Sequence, residues 1–266
     1  MTVLVCWGMA VADETAIGTF TVTKDTSVSG YPEPRRGEDA EPMRRAPGDG
    51  EWYAGAGGWA VADGDSVIRL GNHNDISMYG WDMNAIEQWI ADQNLPAGYY
   101  PVFEFSVVIA TEAVDKSFPV STITSLTDWT EGDGESFYEF AWSKDRSAAT
   151  YAYAQTWYTD SDGIPHTGDE VLDEANSVPW VRPSDGKEVH PRNLTPAFTN
   201  SERLQVTSGD IGKRVSVVLD YAFTQDMLNN PYNRGIMITG RYSFESSTNT
   251  CVYTREPTCT SGPAVR

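Results

Sequence analysis

Large apolar residues alternate with polar or small ones over much of this chain. In residues 101–111, positions 103, 105, 107 and 109 are all large and apolar, and residues 214–219 repeat the pattern at Val215, Val217 and Leu219. A period of two places alternate side chains on opposite faces of a strand, so both segments predict half-buried strands. Apolar runs predict further strands at residues 19–23, 66–70, 76–81, 121–126, 151–157, 203–207, 235–239 and 263–266.

Two segments have helical spacing instead. Residues 84–94 place Ile86, Trp89 and Ile90 on one side, with Asn84 as the expected amino-terminal cap. Residues 223–230 bring positions 223, 227 and 228 together and stop before Pro231. Strand–helix alternation and internal repeats are absent from the sequence. We therefore predict an all-β fold, a jelly-roll-like antiparallel β-sandwich with two short helices and long loops.

The beginning of the chain has two interpretations. Residues 2–9 are largely apolar, and Ala-Val-Ala at 10–12 precedes Asp13, which resembles the end of a secretory signal peptide without its basic region. The same residues also fit an ordinary strand. We predict residues 1–12 as a signal-peptide remnant or an N-terminal strand, residues 13–266 as a single β-sandwich domain, and an extracellular or cell-surface location.

Composition removes several classes of partner. The chain has 19 Lys and Arg against 38 Asp and Glu, a formal charge of −19. Such an excess of negative charge opposes binding to nucleic acids and to anionic lipid surfaces. We expect no membrane insertion either, because no apolar run approaches the ~20 residues needed to span a bilayer. A hydrophobic content of 40% suffices for a buried core.

Three cysteines bear on the compartment: Cys6, Cys251 and Cys259. Loss of Cys6 with a signal peptide would leave an even pair, and we predict a disulfide between Cys251 and Cys259 in an exported protein. The seven residues between them, with no histidine nearby, do not match the usual spacing of zinc ligands.

Motifs for common chemistries are missing from the sequence, including H-E-x-x-H, G-x-S-x-G and the P-loop. Asp160, Asp162 and Asp169, with Gly163 in the turn, resemble part of a calcium-binding loop, although an acidic turn is the simpler interpretation. Tyr151, Tyr153 and Trp157 would share one face of a strand. Exposed, they would form a platform for carbohydrate; buried, they would belong to the core.

Several segments follow one another in a recognisable order. They are an Asp-containing strand at 25–28, a glycine loop at 35–38, an aromatic-Asp strand at 78–83, Leu-Pro-Ala-Gly at 95–98, Trp-Thr-Glu-Gly at 129–132, a long match at 217–241, and strands at 243–246 and 262–266. This order resembles the DNRLRE-domain family of secreted bacterial and archaeal β-sandwich modules. The resemblance implies a β-sandwich outside the cell and transfers no catalytic residue. Leu228 stands where the family commonly has Trp, and the connection at 159–200 is longer than is typical.

These observations favour a non-catalytic extracellular structural or adhesive module. One route to assembly is strand addition, in which residues 2–9 or 15–23 pair with the sheet edge of a neighbouring copy. A carbohydrate-binding module with an aromatic platform is the alternative. A polysaccharide-active enzyme is the third hypothesis, and it requires two carboxylates at reacting distance. Glu131 and Asp133 are the best candidates, although the glycine-rich composition of their loop favours solvated turn residues.

Overall fold

The structure is a computed structural model, and it describes residues 2–6, 17–29, 59–60, 66–69, 75–111, 115–131, 149, 153–155, 158–159, 171–172, 175–189, 191, 194, 198–239 and 251–253. The prediction of an all-β protein with two short helices is confirmed, and its strands pair in an antiparallel manner. The layered sandwich and the jelly-roll connectivity stay predictions. The strands are β1 (Thr2–Cys6), β2 (Gly18–Thr21), β3 (Lys24–Ser29), β4 (Trp59–Ala60), β5 (Ser66–Arg69), β6 (Asp75–Gly80), β7 (Val102–Thr111), β8 (Lys116–Phe118), β9 (Val120–Thr124), β10 (Tyr153–Gln155), β11 (Tyr158–Thr159), β12 (Val171–Leu172), β13 (Val178–Pro179), β14 (Leu204–Val206), β15 (Arg214–Val218), β16 (Asn233–Thr239) and β17 (Cys251–Tyr253).

The two helices are α1 (Met83–Asp92) and α2 (Tyr221–Asn229). The cap of α1 differs from the expectation, because the side chain of Asp82 accepts a hydrogen bond from the backbone N–H of Ala85 and Asn84 lies within the helix. This earlier start brings Met83 against the hydrophobic core, where Ile86 is fully buried. An Asp two residues before the expected cap serves equally well, since both residue types satisfy the first helical N–H groups.

Strand β7 organises the seven-stranded sheet, whose order is β2-β1-β7-β17-β5-β4 with β15 also paired to β7. Its predicted alternation is confirmed: positions 103, 105, 107 and 109 are completely buried. The backbone of Ile109 bonds to Lys213 and Gly212 on the β15 side. Strands β1 and β17 therefore share the opposite edge of β7, β1 along residues 102–106 and β17 along residues 109–111.

The four-stranded sheet, in the order β3-β6-β16-β9, is buried on both faces. On one face, Tyr79, Ile236 and Ile238 join the hydrophobic cluster that includes the inward side chains of β7. On the other face, Met78 and Met237 belong to a second cluster, which is closed by two fully buried indoles, Trp129 and Trp180. The two-sided burial explains why every residue of β9 is buried, a pattern that a half-exposed strand would not give.

The remaining strands are short pairs: β8 with β14, β10 with β13, and β11 with β12. The sequence left two interpretations of residues 2–6, a signal peptide or a strand. In the structure these residues form β1, which lies between β2 and β7. Neither helix in the described ranges has the length and apolar character needed to cross a bilayer.

Candidate functional site: an aromatic surface at helix α2

Helix α2 has one face in the core and one in solvent. Phe223 and Met227 are buried in the main hydrophobic cluster. Tyr221, Gln225 and Asn229, spaced four residues apart, lie together on the opposite side, since residues i and i+4 are neighbours on a helix surface. The helix therefore presents an aromatic ring followed by two amides. We use the name tyrosine surface for the exposed side chains of Tyr100, Phe198, Val218 and Tyr221.

The centre of this surface is a contact between two aromatic rings. Tyr100 precedes β7 and Tyr221 begins α2, and their ring centroids are 4.6 Å apart at an interplanar angle of 65°. Both rings remain accessible to solvent, with 43% and 55% of their surface exposed. Large aromatic side chains are usually buried more deeply. A pair of exposed rings that pack against each other is therefore a candidate for ligand contact.

The amino end of α2 is fixed by Asp220 and its neighbours. Asp220 Oδ2 accepts a hydrogen bond from the Ser201 backbone N–H at 2.6 Å, and Oδ1 accepts one from the Ser201 hydroxyl at 2.8 Å. The backbone N–H of Asp220 donates to Asn200 Oδ1 at 2.7 Å. Asn200 is buried and its side-chain amide donates to the Val218 carbonyl, so the end of β15 and the start of α2 are held together.

The carboxyl end of α2 is fixed by a second carboxylate. Asp226, which is buried, accepts hydrogen bonds from the side-chain amides of Asn230 and Asn233, both at 2.8 Å. Asn233 in turn accepts a hydrogen bond from the backbone N–H of Gly235 in β16. With both ends tied to neighbouring strands, the helix holds Tyr221 in a fixed position, which reduces the entropy lost when a ligand binds.

Tyr221 lines two shallow cavities. The first has a volume of about 230 Å³ and is lined by Tyr100, Val218 and Glu202 among others. The second has a volume of about 430 Å³ and is lined by Phe198, Gln225 and Asn229 together with Tyr221. Ligand pockets usually measure ~300–1,000 Å³, so the first cavity is too small to serve alone and the second is near the lower limit.

The polar groups around the cavities are carboxylates, amides and hydroxyls. Glu202 and Asp220 line the first cavity and Asp226 lines the second, whereas no Lys or Arg is found among the lining residues in the described part of the chain. Thr224 lines the first cavity as well. Its buried hydroxyl oxygen has no hydrogen-bond partner among the described residues. This chemistry suits an uncharged ligand that carries hydroxyl groups.

A second polar cluster lies beside β3. Lys24 Nζ donates to Asp128 Oδ1 at 2.7 Å and to the Trp129 carbonyl at 2.8 Å, and it lies 4.3 Å from the centre of the Trp129 ring. Burial lowers the pKa of Lys24, and the hydrogen bond to Asp128 opposes that shift. Glu131, a candidate catalytic acid from the sequence, accepts a hydrogen bond from the Asp25 backbone N–H at 2.7 Å. The cluster attaches residues 128–131 to β3, and Asp133 lies outside the described residues.

Most sites predicted from the sequence fall outside the described residues. These are the calcium candidates Asp160, Asp162 and Asp169, the aromatics Tyr151 and Trp157, and Cys259. For Cys251 only the backbone is described, in β17, so the disulfide stays a prediction. No group of His, Cys, Asp and Glu that could hold a metal ion occurs among the side chains that are described.

Tyr153 is the one member of the predicted carbohydrate platform whose side chain is described. It is half-buried in β10, and the neighbouring Ala154 is fully buried in the second hydrophobic cluster. The inward face of β10 therefore carries the small residue at this point, and Tyr153 belongs to the less buried face. Tyr153 therefore lies in the β10–β13 pair, apart from the elements that carry the tyrosine surface. The tyrosine surface was not predicted from the sequence.

Comparison with known proteins adds no relative. No family model, curated protein or solved structure matches the chain. The resemblance to the DNRLRE-domain family accordingly stays a prediction from the order of the segments.

Proposed function

We propose that this protein is a non-catalytic adhesive module, located outside the cell, that binds carbohydrate at the tyrosine surface. The observation that carries the proposal is the Tyr100–Tyr221 ring pair, which is exposed to solvent and whose Tyr221 lies on a helix fixed at both ends. The proposal keeps the aromatic platform expected from the sequence but assigns it to different residues.

Carbohydrate suits this surface for a physical reason. One face of a sugar ring is largely C–H and packs on an aromatic plane, whereas its hydroxyls need donors and acceptors at the periphery. The two tyrosine rings, inclined at 65° to each other, supply aromatic faces, and the side chains of Gln225, Asn229 and Glu202 supply polar groups around them. A small number of polar groups beside an aromatic lining is the usual composition of a small-molecule site.

The proposed role is adhesion because the carboxylate nearest to Tyr221 in sequence already has a structural task. Both oxygens of Asp220 accept hydrogen bonds from Ser201. A glycosidase needs two carboxyl groups available to the substrate, one of them as a proton donor. Binding without turnover needs only the rings and their polar surroundings.

A binding assay with matched variants tests the proposal. Purified protein is incubated with insoluble cellulose, xylan, mannan and chitin, and the bound fraction is measured after sedimentation. We expect retention on at least one polysaccharide, its loss in Tyr221→Ala, and no change in Tyr232→Ala, which removes a comparably exposed tyrosine outside both cavities. Equal retention of the Tyr221→Ala variant would contradict the proposed site, and no retention on any of these polymers would contradict the proposed function.

Self-association by strand addition is a second candidate, favoured by the position of β2. This strand is at one end of the order of the seven-stranded sheet, and Thr19 and Thr21 are exposed. A terminal strand offers backbone groups to another chain. Light scattering over a wide concentration range tests the idea: a mass that rises with concentration, and returns to the monomer value when Thr21→Pro blocks the edge, is expected. A constant monomer mass would remove this candidate.

A further inference from the structure

We infer that the tyrosine surface binds an internal stretch of an uncharged polysaccharide, several sugars long, and that Tyr221 lies between two sugar-binding subsites. The inference rests on the proposed function and specifies its ligand. It is drawn from the position of Tyr221 in the walls of both cavities.

The two cavities share Tyr221 in their walls. Tyr100 and Val218 line the first cavity and Phe198 lines the second, all with large exposed fractions. A monosaccharide bound in one cavity would leave the exposed apolar side chains that line the other cavity in contact with water. A chain that covers Tyr221 and both cavities contacts all of these side chains, so affinity increases with chain length until both cavities are filled.

Charge determines which polysaccharides fit. Glu202 and Asp220 line the first subsite and Asp226 lines the second, and the whole chain carries a formal charge of −19. A uronic acid or sulfated sugar would place like charges together in a partly desolvated site, which costs affinity. Neutral sugars avoid this repulsion, and their hydroxyls can donate hydrogen bonds to the Glu202 carboxylate.

The test measures affinity against chain length. Isothermal titration is carried out with cello-, xylo-, manno- and chito-oligosaccharides of one to six units, and with oligogalacturonate as the anionic comparison. In the series that binds, we expect about a tenfold gain between the disaccharide and the hexasaccharide, the contribution of one further stacked ring. Phe198→Ala should abolish this gain, whereas Tyr232→Ala, outside both cavities, should alter neither the gain nor the disaccharide affinity.

The outcomes separate the two proposals. If a monosaccharide or disaccharide binds as tightly as the hexasaccharide, or if oligogalacturonate binds best, the inference is wrong while carbohydrate binding stands. If no sugar binds and Tyr221→Ala instead disperses oligomers seen by light scattering, both are wrong and the surface contacts a second copy of the chain. Circular dichroism of each variant establishes that loss of affinity does not come from unfolding.

Discussion

Single residues in this protein divide between those that hold the aromatic surface in place and those that face a ligand. Asp220 and Asp226 belong to the first group, because each accepts two hydrogen bonds from neighbouring elements. Tyr221 belongs to the second, since 55% of it is exposed and it lines both cavities. Thr224 lies behind the surface: it is fully buried, and its hydroxyl oxygen has no hydrogen-bond partner in the described part of the chain. A buried hydroxyl without a hydrogen bond lowers the stability of the fold.

Thr224→Val therefore separates stability from binding. Replacing the hydroxyl by a methyl group of similar size should raise the free energy of unfolding by about 1 kcal/mol, because an unsatisfied polar group is removed. Affinity for the saccharide should stay unchanged, because the buried hydroxyl is out of reach of a ligand. Urea denaturation and titration calorimetry measure the two effects. A variant that is less stable, or that binds the saccharide severalfold more weakly, would contradict this position of Thr224.

Asp185 offers a test of local electrostatics away from the site. Its carboxylate receives two hydrogen bonds from the Arg182 guanidinium, which lowers the pKa of Asp185 from 3.8 to about 2. Because the pKa is lower in the folded state, the Arg182–Asp185 interaction contributes fully to stability above pH 3.8. Its contribution disappears as the pH falls through about 2. Carbon-detected NMR titration should give the low value in the wild type and a higher one in Arg182→Ala. The same pKa in both proteins would contradict the role of Arg182.

At the scale of elements, strongly patterned segments could be predicted from sequence and the short ones could not. The alternation in β7 and β15 determines which side chains face the core, because only one face of a strand with alternating apolar residues packs against the core. In β6 and β9 the alternation of buried and exposed residues is absent, because each face of these strands contacts a hydrophobic cluster. The pairs β10–β13 and β11–β12 are two or three residues long and depend on distant partners rather than on local spacing.

The tyrosine surface could not be predicted from the sequence for a related reason. Aromatic residues spaced along one strand indicated a platform of Tyr151, Tyr153 and Trp157. Tyr100 and Tyr221 lie far apart in the chain and meet only because β7 and β15 pair in register and place the residues flanking them side by side. A local signal was present in α2, where Tyr221, Gln225 and Asn229 occupy the face opposite Phe223 and Met227.

Strand β16 contains a position that tolerates only glycine. Gly235 has a φ of 112° and lies at an irregularity in the pairing of β16 with β9. A β-carbon there would collide with the Tyr79 carbonyl of β6. Gly235→Ala should lower the free energy of unfolding by roughly 1–3 kcal/mol, measured by urea denaturation, because it combines backbone strain with a clash.

Gly209 provides the control for that substitution. It has open space around it, so Gly209→Ala should change stability little. Equal stability of the two variants would contradict the close approach of β16 to β6.

The whole molecule carries a formal charge of −19, which bears on both stability and recognition. Repulsion among like charges weakens the compact state, and salt screens that repulsion. Raising NaCl from low to physiological concentration should therefore increase the melting temperature, measured by calorimetry, while saccharide affinity stays constant because an uncharged ligand has no net electrostatic attraction. A large fall in affinity with salt would indicate that the ligand is charged.

The central claim is that saccharide binds on the rings of Tyr100 and Tyr221. NMR of protein with ring-labelled tyrosine, titrated with the oligosaccharide that binds best, tests it directly, and single Tyr→Phe variants assign the signals. The resonances of Tyr100 and Tyr221 should shift in a saturable manner, while that of Tyr79, which is fully buried in the core, should stay in place. Saturable binding that leaves both exposed rings unperturbed would contradict the account.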